Sequence, residues 1–272
     1  MNVVPVSLQT ASSAFQERIH QRVDNGVRSL RLLHRSRWAR KMTDMAVIGI
    51  EVEPIPPCLC DGQRAILVSN YPSVSEALRA IIKVVCRLPG QKPRLKAIAR
   101  KSVLTDANLL LNALGLEEYI FPAMKDPSGK YTLEPDILRR VLAHLDGEGN
   151  LLWLSITGKT RNNGLLERDV RTGAASFSLK KNIPIVPMSL VTEKKRGNIR
   201  VVKIRFGEPI DPPEMGNPSE FEMGDLLLDI SRLVMCQIAA LLPPGQRGDF
   251  EDLENRVREA RSRLSDQPLS PQ

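Results

Sequence analysis

The side chains best suited to chemistry sit in the stretch Arg64–Glu76, RAILVSNYPSVSE. Asn70, Tyr71 and Glu76 bring an amide, a phenol and a carboxylate close together in the chain. They follow the apolar run Ala65-Ile66-Leu67-Val68, and the pattern turns helical from Ser75 onward. A buried strand that feeds a helix through a polar turn puts the strand's end and the helix's first N–H groups in one crevice, where α/β proteins bind and react. Pro72 presets the turn. Ser73 or Ser75 can cap the helix, with Glu76 in the first turn, where its charge suits the helix dipole. The same residues also make a plain strand, turn and capped helix with no chemistry, and this stretch alone does not separate the two readings.

A second polar segment, Thr157-Gly158-Lys159-Thr160-Arg161-Asn162-Asn163-Gly164, follows the apolar run Leu151–Leu154. Its Gly-Lys-Thr suggests a phosphate loop, but Trp153 stands where that motif needs its first glycine, and Asn162-Asn163-Gly164 is a turn where it needs a helix. Lys92, Arg94, Lys96, Arg100 and Lys101 cluster around an expected strand at Leu95–Ala99, as a phosphate-facing patch or as an ordinary basic surface. Cys58-x-Cys60 has no second pair, and His20, His34 and His144 lie far from it, so neither a metal nor a cofactor is expected and the thiols read as reduced.

A formal net charge of +8 favours an anionic partner: nucleic acid, a phosphorylated small molecule, an acidic carrier protein or an anionic membrane surface. Aromatic residues make up only 4% of the chain, which argues against base stacking, and no nucleic acid is expected. The segment Phe15–Met42 reads as a strongly basic helix whose Val23, Val27, Leu30, His34 and Trp38 share one stripe. It fits a helix packed on the domain or one lying in an anionic membrane surface. Neither a secretory signal nor a run of about 20 apolar residues is found. A cytoplasmic protein, peripheral on the inner face of a membrane, is the expectation.

Positioning these groups requires alternating strands and helices. Strands are expected at Ala46–Glu53, Arg64–Val68, Leu95–Ala99, Glu118–Phe121, Leu151–Leu154, Ile183–Pro187 and Ile199–Phe206. Helices are expected at Ala77–Arg87, Leu104–Leu114, Pro135–Leu145, Thr172–Lys181, Phe221–Leu242 and Phe250–Leu264. The pattern predicts an α/β class with a mixed central sheet flanked by helices, a basic N-terminal helix and C-terminal helices. Three regions follow: a basic extension over 1–44, the α/β domain over 45–243, and a charged helix with a disordered tail over 244–272.

The order of these pieces resembles the glycerolipid acyltransferase superfamily, which includes lysophosphatidic acid acyltransferases, from about Met45 to Pro243. Its first motif, Asn-His-x-x-x-x-Asp, matches Asn70-Tyr71 with Glu76; its third, Phe-Pro-Glu-Gly-Thr-Arg, falls at Ser155–Arg161. A Gly-Ala helix start at Gly173-Ala174, Ile183-Pro-Ile-Val-Pro187, Gly207-Glu-Pro-Ile210 and Leu241-Leu-Pro243 follow in the family's order. The resemblance implies an acyl donor, acyl-CoA or acyl carrier protein, and a lysophospholipid acceptor. It makes Tyr71 and Glu76 the positions of the catalytic His and Asp. It makes Asn70, Lys125, Thr157, Gly158, Lys159 and Arg161 the substrate-binding positions, with Lys125 nearest the family's phosphate-holding arginine.

The chain departs from the family where protons move. The family histidine takes a proton from the acceptor hydroxyl. Tyr71 stands there instead, and a phenol of pKa about 10 needs about 4 kcal/mol to reach the phenolate at neutral pH. Thr157 replaces the third motif's glutamate. Three readings remain open: an acyltransferase-like protein that binds lipid or acyl donor without efficient transfer, an acyltransferase with Glu76 as an altered base, and a basic membrane- or partner-binding module.

Overall fold

The computed structural model describes residues 49–71, 73, 76–77, 80, 84, 88, 95–101, 119–126, 131–157, 165–167, 169–194, 200–214 and 220–265. The expected helices at Phe15–Met42 and Leu104–Leu114, the basic residues Lys92 and Arg94, and the site positions Gly158, Lys159 and Arg161 lie outside them.

Eight strands form one mixed sheet: β1 (Gly49–Val52), β2 (Ala65–Ser69), β3 (Leu95–Arg100), β4 (Ile120–Lys125), β5 (Tyr131–Thr132), β6 (Leu151–Ser155), β7 (Ile185–Lys194) and β8 (Arg200–Phe206). Their spatial order is β1-β8-β7-β2-β6-β3-β4-β5. The run β7-β2-β6-β3-β4 is parallel, β8 is antiparallel to β7, and β5 is antiparallel to β4. Helices described with full bounds accompany the sheet: α1 (Pro57–Cys60), α2 (Pro135–Asp146), α3 (Gly173–Lys181), α4 (Glu220–Leu241) and α5 (Leu253–Ser265).

The central position of β2 follows from its sequence. Ile66, Leu67 and Val68 have no solvent exposure, as a continuous apolar strand covered on both faces requires. Side chains alternate between two cores. Ile66 and Val68 join Val141 of α2, Phe177 of α3 and Val234 of α4. Ala65 and Leu67 join Leu59 of α1 and Ala77, Ala80 and Val84 on the other face. Helix α5 lies along α4, with Ala260 buried and Leu253, Val257 and Leu264 packed against the first core.

Two strands run well past their expected ends, both through prolines. The strand expected to end at Phe121 begins at Ile120 and continues through Pro122 to Lys125. Pro122 lies in register with Ala99 of β3, and β5 pairs with β4 only beyond it, at Met124 and Lys125. The strand expected to stop at Pro187 runs on to Lys194. The Pro187 carbonyl accepts a bond from the Gly207 N–H just past the end of β8, so the proline leaves out only the reciprocal bond, and pairing resumes at Ile185 opposite Ile210.

Candidate functional site

Parallel pairing places the C-terminal ends of β2, β3, β4 and β6 along one edge of the sheet, where ligands bind in open α/β folds. Strands β2 and β6 run side by side from Ala65 opposite Leu151 to Ser69 opposite Ser155. The ends of β2 and β6, from which the two segments with chemical promise continue, therefore lie side by side at this edge.

Asn70 is the first residue past β2, and its side chain acts as a further rung of the ladder. Strand β7 is longer than β2 and continues past Met188, the partner of Ser69. There the Asn70 amide donates from Nδ2 to the Leu190 carbonyl at 3.0 Å and accepts from the Leu190 N–H at 2.7 Å. Both residues are buried. The amide expected to contact substrate is thus engaged by β7.

Glu76 lies 5% exposed at the start of the following helical turn. Ser73 caps that turn by accepting the Glu76 N–H at 3.2 Å, and the Ser73 hydroxyl donates to Glu76 Oε2 at 2.6 Å. Thr192 of β7 donates to Oε1 at 2.9 Å. Both carboxylate oxygens therefore accept a hydroxyl proton, and neither bonds to Tyr71. The Ser-x-x-Glu spacing signals such a cap in the sequence. The Thr192 contact crosses to a distant strand and has no local signal.

Tyr71 is half-buried against the core that contains Leu67 and Trp153. Burial pushes its phenol above the ordinary value of 10.0, and the positive charge of Arg100 opposes that rise. The group is a neutral phenol at physiological pH. Arg100 closes β3 and stacks over the Tyr131 ring, 4.7 Å from its centroid. Tyr131 pairs across β4–β5 with Lys125, which is exposed. Thr157 is 7% exposed, just past β6. The resemblance did not single out Arg100, Tyr131 or Thr192, because sheet pairing alone brings them to this edge.

Ser69 and Ser155 stand opposite one another in register at the ends of β2 and β6. The Trp153 indole N–H donates to the Ser69 hydroxyl at 2.8 Å. The Ser155 hydroxyl is buried and has no hydrogen-bond partner.

Elsewhere, a cavity of about 410 Å³ opens at the opposite edge of the sheet, between the start of β2 and the ends of α2 and α3, lined by Arg64, Asp146, Glu148 and Asn182 among others. It does not adjoin Tyr71 or Glu76. Among the described residues, no helix is long and apolar enough to cross a membrane, and no three His, Cys, Asp or Glu side chains are grouped to hold a metal ion. No protein-family model and no curated protein matches the chain.

Proposed function

We propose that the protein is a glycerolipid acyltransferase-like protein that binds an acyl donor, acyl-CoA or acyl carrier protein, and/or a lysophospholipid at an anionic membrane surface, without efficient acyl transfer. The finer fold assignment, an acyltransferase-like sheet domain, is part of the same proposal. Its support is the order of family-like motifs in the sequence together with the side-by-side C-terminal ends of parallel strands β2 and β6.

One observation carries the loss of transfer. The position of the family's base is a phenol that burial holds protonated, and the carboxylate beside it in sequence is held by Ser73 and Thr192. A general base must reach the proton it removes and be unprotonated when it does so. Tyr71 fails the second condition at neutral pH. Glu76 accepts from two hydroxyls, Ser73 of its own cap and Thr192 of β7, which also weighs against the reading in which it acts as an altered base.

The test is acyl transfer by the full chain, with oleoyl-CoA and oleoyl-acyl carrier protein as donors and several lysophospholipids as acceptors. The expected result is saturable binding of donor or acceptor with turnover far below the ordinary enzyme range of about 1–10³ s⁻¹. Turnover within that range, abolished by Glu76→Gln and retained in Tyr71→Phe, would overturn the inactive reading and make Glu76 the base. Absence of both binding and turnover would leave the basic partner-binding module.

A further inference from the structure

We infer that the cavity at the start of β2 binds a small zwitterion, a ligand that carries an ammonium and an acidic group on one molecule. The cavity lies apart from Tyr71 and Glu76, so this inference stands independently of the lipid-binding reading.

The sheet topology builds the cavity. Strands β7, β2 and β6 are adjacent and parallel, so the loops that lead into them meet at one edge. Residues 62–64, 146–148 and 182–184 of those loops supply its walls. Its volume of about 410 Å³ falls in the range of small-molecule sites, about 300–1,000 Å³. The loops are tied to one another and to the sheet. The Ile66 N–H donates to the Pro184 carbonyl at 2.9 Å, the Asn150 side-chain amide to the His144 carbonyl at 2.7 Å, and the Lys181 ammonium to Asp146 at 2.6 Å. The walls are thus held in place before a ligand arrives, which lowers the cost of ordering them on binding.

The charges select the ligand. Arg64, Asp146 and Glu148 line the cavity, and Lys181 pairs with Asp146. That leaves Arg64 and Glu148, opposite charges on one cavity that form no ion pair with each other or with another described residue. Arg64 spends one N–H on the Leu145 carbonyl at 3.2 Å, and a guanidinium has five to give. Glu148 makes no hydrogen bond among the described residues. A singly charged ligand is attracted by one of these two groups and repelled by the other. A zwitterion satisfies both, with its acid on the Arg64 fork and its ammonium on Glu148. The amides of Gln63 and Asn182 line the same cavity and offer neutral donors and acceptors. Two kinds of molecule share this chemistry: a free α-amino acid and a phosphoethanolamine headgroup.

The experiment is calorimetric titration of the full chain with each common L-amino acid and with glycerophosphoethanolamine. Saturable binding of at least one of them is expected. For an amino acid, N-acetylation removes the ammonium and amidation removes the carboxylate, and each should weaken binding about tenfold or more, the equivalent of one charge-assisted hydrogen bond. Binding of glycerophosphoethanolamine alone, weakened as much in glycerophosphate, supports the same site and assigns it to a headgroup. Glu148→Gln should cost about tenfold in affinity for the zwitterion and nothing for the form that lacks the ammonium. It should leave the melting temperature unchanged, because Glu148 has no described partner to lose. The inference is overturned if no zwitterion binds, if the form without the ammonium or without the acid binds as tightly as its parent, or if Glu148→Gln binds with undiminished affinity.

Discussion

Replacing Asn70 with alanine tests whether this side chain belongs to the architecture of the crevice or to its ligand chemistry. Asn70 supplies both a donor and an acceptor to Leu190, at 3.0 and 2.7 Å, in a region from which water is excluded. Alanine would leave the Leu190 N–H and C=O both buried without these partners. Each orphaned group costs about 1–3 kcal/mol, so the expected destabilisation is about 2–6 kcal/mol. For a chain of this size, 1 kcal/mol corresponds to roughly 2–4 °C in melting temperature, so a loss of about 3 kcal/mol lowers Tm by about 6–12 °C. Asn70→Asp should also destabilise, because it keeps the acceptor for the Leu190 N–H but sets a carboxylate oxygen against the Leu190 carbonyl. Differential scanning calorimetry of the three proteins measures both effects. A Tm for Asn70→Ala within about 2 °C of the unmodified protein would refute the assignment, since that is less than one orphaned group should produce. An unchanged Tm with lost lysophospholipid binding would make Asn70 a ligand contact instead.

Gly248 adopts φ +57°, and a Cβ there would stand 2.2 Å from the Leu166 carbonyl oxygen, so Gly248→Ala should lower stability by about 2–4 kcal/mol in chemical denaturation, through left-handed backbone strain and loss of the Asp249 N–H bond to Leu166. Burial raises the Tyr71 pKa, so the folded state holds its proton longer than the unfolded chain: this contribution is intact below pH 10 and is lost as pH rises through the elevated folded value. Tyr71→Phe should therefore show a smaller alkaline loss of stability than the unmodified protein, read from melting temperatures between pH 8 and 11. The Cys236 thiol is buried and pushed up to about 11, whereas Cys60 is exposed, so a thiol reagent at pH 8 should label Cys60 promptly and Cys236 only as the protein unfolds. Deleting residues 1–42 should reduce flotation with anionic vesicles in low salt; unchanged binding by the folded, shortened chain would exclude the basic segment as the membrane contact.

The local character of the chain was legible from its sequence where a single element decides it. Ala65–Val68 and Leu151–Leu154 are apolar without alternation, which is what burial on both faces demands, and both are interior strands. Pro135 and the periodic apolar residues behind it mark α2 to within a residue of its observed end. The Ser-x-x-Glu spacing marks a helix cap at Ser73. Prolines misled where their effect depends on a neighbour: Pro122 and Pro187 lie inside strands, and Pro187 keeps a bond through its carbonyl to the Gly207 N–H.

The tertiary structure decided what the polar residues do. The sequence presents Asn70 and Glu76 as candidate chemistry, yet their partners are Leu190 and Thr192, more than a hundred residues later. Those partners exist only because β7 outruns β2 and borders its free end. Likewise Ser69 and Ser155 become a pair, and Arg100 a neighbour of Tyr71, through strand register alone. Periodicity and propensity act over one or two turns of chain, so they fix elements; a hydrogen bond across a sheet depends on which strands meet and where each one ends, which no local pattern encodes.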